Sequence, residues 1–267
     1  TSPDWEISEK LSDCRWLVTC TRANMAHLKL LAANPSVISC TYHGLDLTRF
    51  PASPAHRELR DGKTEHSPAR LLSVGRAVEK KGYDGLLDAL AALPRDIHWR
   101  FTHLGGGPEL ARLQKKAAAL NLSDRIDWLG PQSQTRVLEE YRQADIFVLN
   151  SRIADDGDRD GLPNVLMEAQ SQGLACVASA VSAIPELIID EETGYLTPPD
   201  DPTAMAELLE HVIRNPADRA RIAATGERRI RSEFALNNTI RTLAQQFGLA
   251  PDSTDTDSTN NSPGGET

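Results

Sequence analysis

The sequence predicts an α/β chain built on a doubly wound parallel sheet. Three observations predict it. Short apolar runs bounded by turn residues recur along the middle of the chain, amphipathic helical patterns stand between them, and the connections are a few residues long. Units of this kind join by right-handed crossovers, which place helices on both faces of the sheet. The ligand crevice of such a sheet lies outside the carboxyl ends of its strands, where helix N-termini also point.

The first fifty residues differ in pattern from the rest of the chain. LVTCT (17–21) is strand-like, a short helix runs to about Ala33, and VISCTYHG (37–44) is a second strand that ends in the turn-rich HGLDLTRFPASP. Two strands and a helix cannot close a core, so this segment must complete another domain or pack on this one. Residues 51–67 are polar and punctuated by proline, as a linker is. RLLSVG (70–75), HWRFTHLG (98–105), IDWLG (126–130), DIFVLN (145–150) and ACVAS (175–179) read as buried strands. Leu110, Leu113, Ala117 and Leu120 share one helix face, and Val137, Leu138, Tyr141 and Ala144 share another. Met205, Leu208, Leu209, Val212 and Ile213 form a third stripe, with Asp201 as N-cap and Pro202 at the first helical position. These elements make one domain over 68–247. Residues 248–267 hold almost nothing that could anchor a core and read as a disordered tail.

Composition narrows the function classes. The chain has 267 residues, of which 40% are hydrophobic, so a core forms without disulfide or metal staples. A formal net charge of −9 argues against a nucleic-acid binder, which would carry a basic footprint. No apolar run approaches the length of a membrane span. Cys14, Cys20, Cys40 and Cys176 include no C-x-x-C pair, which points to reduced cysteines in a cytoplasmic protein. The first residue is Thr1 and no signal-like segment follows it, so the chain is expected to start partway along a longer protein.

Four segments carry chemistry. In SVGRAVEKKGYDGLLDAL (73–90) a strand ends, a turn follows at Gly75, and Arg76 and Lys81 precede a helix. Two cations in a strand-end loop suit a phosphate, while taken alone a solvated surface loop is the more ordinary explanation of them. In LGGGPEL (104–110) three glycines, Gly106 central among them, let the backbone approach a ligand, or simply make a tight turn. Leu110 stands where the last glycine of G-x-G-x-x-G belongs, so a dinucleotide fingerprint is absent. In NSRIADDGDRDGLPNVLMEAQSQG (150–173) Asp160 lies just before a helix opened by Gly161, Leu162 and Pro163. Free N–H groups at that helix start suit a diphosphate. Glu168 sits in an apolar stretch and needs a partner, either an internal hydrogen bond or a ligand hydroxyl. In SAVSAIPELIIDEETGYLTPPDD (179–201) Glu186 reads as a structural cap. His43 reads as a hinge residue, His103 as a strand-end structural residue, and Asp156 and Asp158 as loop rather than as a metal-binding pair.

In order, VGRAVEKKG, GGGPEL, IDWLG, YRQADIFVLNS, DGLPNVLMEAQSQG, IPELIIDEETGYL and PPDDP resemble the nucleotide-sugar-binding half of the retaining family-4 (group 1) glycosyltransferases, which have the GT-B fold. The likeness runs over about 70–247. It implies a Rossmann-like C-terminal domain preceded by an incomplete N-terminal segment. HGLDLTRFP (43–51) resembles the hinge of that family, and the strand and helix before it resemble the end of the acceptor-side half. Carried over by position, Arg76 and Lys81 match the pair that binds the donor diphosphate. Asp160 matches the acidic residue that contacts the transferred sugar, and Glu168 the one that holds the ribose hydroxyls. Gly75, Gly106, Gly161, Leu162 and Pro163 match backbone that faces the donor. Leu129 lies where the nucleobase packs, with Trp128 beside it as core. The family usually has Glu at the first acidic position; here Asp160 is one methylene shorter.

The resemblance implies transfer of a sugar from a nucleoside-diphosphate sugar to a hydroxyl of a carbohydrate or lipid-linked acceptor, with retention and with no metal or cofactor. The loop ADDGDR (154–159) resembles members that build bacterial exopolysaccharides. The acceptor-side half is expected upstream of Thr1. This chain alone is then expected to bind donor weakly and to be inactive, and the full-length protein to associate peripherally with membrane. Two other readings compete. One is a non-catalytic nucleotide-sugar-binding or regulatory module on the same fold. The other is an unrelated oxidoreductase, which lacks its glycine fingerprint here.

Overall fold

The computed structural model describes residues 5–54 and 57–249; most of the tail expected over 248–267 lies outside the described residues. The chain opens with helix α1 (Trp5–Asp13), strand β1 (Leu17–Thr19), helix α2 (Arg22–Leu31) and strand β2 (Ile38–Cys40). β1 and β2 pair in parallel as a separate two-stranded sheet. Thr21 caps α2 by accepting from the Asn24 N–H at 3.1 Å, and that helix buries none of its residues.

Six further strands make the main sheet: β3 (Ala69–Val74), β4 (Trp99–Leu104), β5 (Ile126–Gly130), β6 (Ile146–Leu149), β7 (Ala175–Ser179) and β8 (Tyr195–Thr197). Every pairing is parallel, in the order β5-β4-β3-β6-β7-β8. The doubly wound sheet that the sequence predicts is therefore present, with strand ends within about a residue of those read from the apolar runs. The order reverses between β3 and β6, and a crevice opens at the carboxyl edge of such a switch point.

The intervening helices are α3 (Tyr83–Ala92), α4 (Leu110–Ala119), α5 (Gln134–Gln143), α6 (Asn164–Ser171), α7 (Ile184–Leu187), α8 (Pro202–Arg214), α9 (Pro216–Glu233) and α10 (Leu236–Gln246). They cover both faces. Leu71, Trp99 and Phe101 pack with Leu86, Leu90, Leu113, Met205 and Leu209 on one side. Leu72, Leu104, Phe147 and Leu149 pack with Tyr141, Leu166, Met167 and Ile230 on the other. Neighbours Leu71 and Leu72 serve opposite cores, which is why these strands read as continuous apolar runs. Asp201 caps α8 as its sequence position predicts, accepting from the Ala204 N–H at 2.9 Å. The sequence pattern does not mark α9; its core contacts are only Ile222, Ala223, Gly226 and Ile230, plus the stem of Arg219, in a helix otherwise rich in charge. No helix among the described residues is long and apolar enough to cross a membrane.

Residues 57–67, read as linker, run along the amino edge of the sheet and are held there by arginines. The Arg57 guanidinium donates to the carbonyls of Tyr141, Arg142, Ala144 and Gln172. Arg60 pairs at 3.1 Å with Asp145, the fully buried residue that opens β6. Burial raises the Asp145 pKa, while its hydrogen bond from the Arg70 N–H and the charges of Arg219, Arg60 and Arg57 oppose that rise.

Candidate functional site

The strand-end turns gather at the switch point. After β3 the Gly75 N–H donates to the Leu104 carbonyl at 2.9 Å, and the Ala77 N–H donates to Gly106 at 2.8 Å. The loops after β3 and β4 therefore run side by side, extending the ladder beyond the strands. Gly105 makes this approach possible: at φ +146 a Cβ there would stand 1.9 Å from the Gly75 carbonyl oxygen. The loop after β3 closes on β6 in the same way. Gly82 adopts φ +59, and a Cβ would meet the Asn150 carbonyl oxygen at 1.9 Å. The Asn150 side chain returns a hydrogen bond to the Gly82 carbonyl at 2.9 Å.

Gly75, Gly106 and Arg76 line a pocket of about 520 Å³ together with Pro131, Gln132 and Val137. A second chamber of about 490 Å³ shares Val74, Gln132 and Val137 with it and adds His43, Arg49, Gln134, Asn164 and Glu168. The two form one cleft along the carboxyl edge. Arg76 is exposed, and among the described residues its guanidinium has no ion pair or hydrogen bond. Lys81, five residues on, is paired: its ammonium lies 2.8 Å from Asp160 Oδ2. Ser151 Oγ donates to the same oxygen at 2.6 Å. The acidic loop after β6 is tied back to the loop after β3 by two more pairs, Arg152 with Glu79 at 2.7 Å and Lys80 with Asp158 at 3.0 Å.

Helix α6 starts beside this pair. Pro163 precedes it, no side chain caps it, and its first turn holds no acidic residue, so its free N–H groups keep their positive field. Gly161 is exposed and open, whereas Leu162 and Pro163 are buried and set the angle at which α6 begins. Glu168 lies about one turn along. The Tyr141 hydroxyl donates to its Oε2 at 3.0 Å, which supplies the internal partner that the apolar stretch requires. Burial raises the Glu168 pKa; the Tyr141 hydrogen bond and the Arg49 charge oppose the rise.

The structure brings Arg76, Lys81, Asp160, Glu168, Gly75, Gly106, Gly161 and His43 to one edge. Leu129 stands elsewhere: it lines a groove of about 300 Å³ on the sheet face, with Arg70, Arg100, Arg136 and Asp127. Its neighbours Pro131 and Gln132 line the cleft instead. Trp128 packs against the core and stacks near His103, ring centroids 5.3 Å apart. His103 is fully buried, and burial lowers its pKa to about 4. Glu186 is a cap, though of a distant helix: its carboxylate accepts from the Arg22 and Ala23 N–H groups at 2.7 and 2.9 Å and from the Tyr42 hydroxyl at 2.9 Å. Sequence reading misses Tyr141, whose position in an apolar stripe hides its hydroxyl, and Arg49, which is unmarked in a turn-rich run. Asp156 and Asp158 lie in an exposed loop, and among the described residues no three His, Cys, Asp or Glu side chains are grouped to hold a metal ion.

Comparison with known proteins places this geometry. Residues 56–229 match the family model of the glycosyl transferases group 1. The chain is 32% identical over 209 residues to the amylovoran biosynthesis glycosyltransferase AmsK of Erwinia amylovora, covering 78% of this chain and 51% of that protein. It is also 32% identical over 223 residues to the putative colanic acid biosynthesis glycosyltransferase WcaL of Salmonella typhimurium, covering 82% and 53%. The chain thus spans about half the length of the curated relatives it matches. Among solved structures, Anabaena HepE in complex with UDP superimposes with a TM-score of 0.76 at 18% identity, over 92% of this chain and 69% of that one. Sucrose-phosphate synthase from Thermosynechococcus elongatus gives 0.76 at 23%, over 90% and 59%. These two likenesses show the fold, that of the GT-B glycosyltransferases. With the family match, they make the chain a member of the group 1 glycosyl transferases.

Proposed function

We propose that the cleft holds a nucleoside-diphosphate sugar and that the full-length protein transfers its sugar, with retention, to an acceptor hydroxyl in polysaccharide synthesis. One observation carries the reading: an unpaired guanidinium, Arg76, stands with Lys81 and the uncapped N-terminus of α6 around one edge of the sheet switch point. The leaving diphosphate gains negative charge as the glycosidic bond breaks. Preorganised cations and N–H dipoles stabilise that charge without reorganising. Removal of one such donor typically costs ~2.7–4 kcal/mol of barrier. These groups perform the neutralisation in this reading, so it requires no metal or cofactor.

Glu168 suits the ribose hydroxyls, because it is a desolvated acceptor that lines the cleft about one turn into α6. Asp160 suits the sugar once Lys81 turns toward phosphate, and Ser151 then keeps it oriented. The relatives in amylovoran and colanic acid biosynthesis support a carbohydrate acceptor, and a lipid-linked one is part of the same proposal. That acceptor pocket belongs to the part of the relatives that this chain does not span.

Thermal stabilisation of the chain by UDP, GDP, ADP and NADH tests the donor reading. A bound ligand at one hundred times its dissociation constant adds ~2.7 kcal/mol. One of the diphosphates is expected to stabilise the parent. Arg76→Ala is expected to weaken it about 10- to 100-fold, the worth of a hydrogen bond to a charged group. Stabilisation by NADH alone, or equal stabilisation of parent and Arg76→Ala, contradicts the reading.

A further inference from the structure

We propose that Tyr141 is a positioning residue for Glu168: its hydroxyl anchors one carboxylate oxygen so that the other is presented to the ribose diol of the nucleotide. The proposal rests on the nucleotide reading above and deepens it. Tyr141 is fully buried, and its ring lies 5.8 Å from that of Phe147, centroid to centroid. Its hydroxyl is therefore placed by the core of the domain and not by the cleft. A phenol has a single proton to give. It goes to Glu168 Oε2 at 3.0 Å; the Val165 carbonyl, at 3.5 Å, is the poorer acceptor. Among the described residues Oε1 accepts no hydrogen bond, and Glu168 lines the cleft beside Asn164 and Gln134.

A carboxylate fixed through one oxygen offers the other in one orientation, which is the preorganisation that a vicinal diol rewards. Burial alone would favour the neutral acid, a weaker acceptor. The tyrosine hydroxyl opposes this by stabilising the carboxylate. The groups that face Glu168 from the neighbouring elements are few. Arg49 comes from the segment after β2, where Gln134 of α5 holds its guanidinium, and His43 and Asp46 of that segment line the same chamber.

The test titrates the 267-residue chain calorimetrically with UDP and GDP, each beside its 2′,3′-dideoxy counterpart, from about pH 7.5 down into the ordinary glutamate range, above which burial holds Glu168. The ratio of the two affinities is the hydroxyl preference, and ionisation of the phosphates cancels in it. The parent is expected to lose the preference as pH falls through the Glu168 pKa. Tyr141→Phe is expected to lower it about three- to ten-fold at neutral pH. The same variant removes a bond that stabilises the carboxylate, so the acid loss moves to higher pH. Fluorotyrosine at 141, a stronger donor of the same shape, is expected to move the loss to lower pH, and serves as well if Tyr141→Phe folds poorly. An unchanged preference and pH profile in these variants, with Glu168→Ala abolishing the preference, overturns the role of Tyr141 and leaves the nucleotide reading standing. No binding of either nucleotide, or a preference that survives Glu168→Ala, overturns both.

Discussion

Asp160 and Glu168 are eight positions apart and meet opposite circumstances. Asp160 is drawn onto Lys81 and Ser151, while Glu168 lines the cleft with one oxygen that accepts no hydrogen bond among the described residues. Their type and spacing are readable in the sequence. Their partners are not, because Tyr141 lies 27 residues from Glu168 and Lys81 lies 79 from Asp160, and contacts at that separation depend on the crossover topology. His103 shows the same limit. The sequence marks it as a strand-end structural residue, while its packing against Tyr83, with ring centroids 4.7 Å apart, is a property of the fold. Its pKa is depressed to about 4 from an ordinary value of 6.5. The native state therefore binds that proton less readily than the unfolded chain, and stability present above pH 6.5 is lost as pH falls toward 4. The loss is on the order of 3 kcal/mol. His103→Phe, which keeps an aromatic ring in the stack, is expected to flatten that part of the pH–stability curve measured by chemical denaturation; an identical curve would show that His103 does not titrate there.

At the scale of elements, the turns are more legible than the helices. Three glycines after β4, and the glycine, arginine and lysine after β3, mark strand ends by their residue types alone. Helix α9 is obscured because it turns a thin apolar stripe inward and a charged face outward. The strap over 57–67 reads as linker because its arginines look like surface charge, yet they pair with carbonyls and with buried Asp145. Among the turns, Gly82 shares with Gly105 the tightest approach, 1.9 Å from a Cβ to a carbonyl oxygen. Its φ of +59 and the Asn150 oxygen leave no space for a methyl group. Gly82→Ala is expected to destabilise the chain by about 1–3 kcal/mol. Because Lys81 is adjacent, the substitution is also expected to displace that cation and to weaken the proposed diphosphate binding. Melting and titration of the same variant check both effects, and a fully stable Gly82→Ala with parental affinity contradicts the packing described for this turn.

On the scale of the whole molecule, two sheets are joined by a narrow set of contacts around Tyr42, Glu186 and Phe234. Glu186 caps α2, the Leu45 N–H donates to the Phe234 carbonyl at 2.7 Å, and the Leu236 N–H donates to Leu45 at 3.0 Å. The segment that comes after Tyr42 also forms one wall of the cleft, so the junction and the site share residues. A competing basic surface exists on the sheet face, where Arg70, Arg100 and Arg136 line a groove. There Arg100 pairs with Asp127 at 3.1 Å and Arg136 with Glu139 at 3.2 Å. The charges of Arg100 and Arg136 are thereby compensated, whereas the guanidinium of Arg70, like that of Arg76, has no ion pair or hydrogen bond among the described residues. A crystal structure of the chain with UDP or GDP bound decides between the two surfaces. The account predicts the phosphates between Arg76, Lys81 and the N-terminus of α6, with the ribose on Glu168 and the Lys81–Asp160 pair opened. Phosphates seated in the Arg70–Arg100–Arg136 groove, or a nucleotide in the cleft with Arg76 and Lys81 untouched, would contradict it.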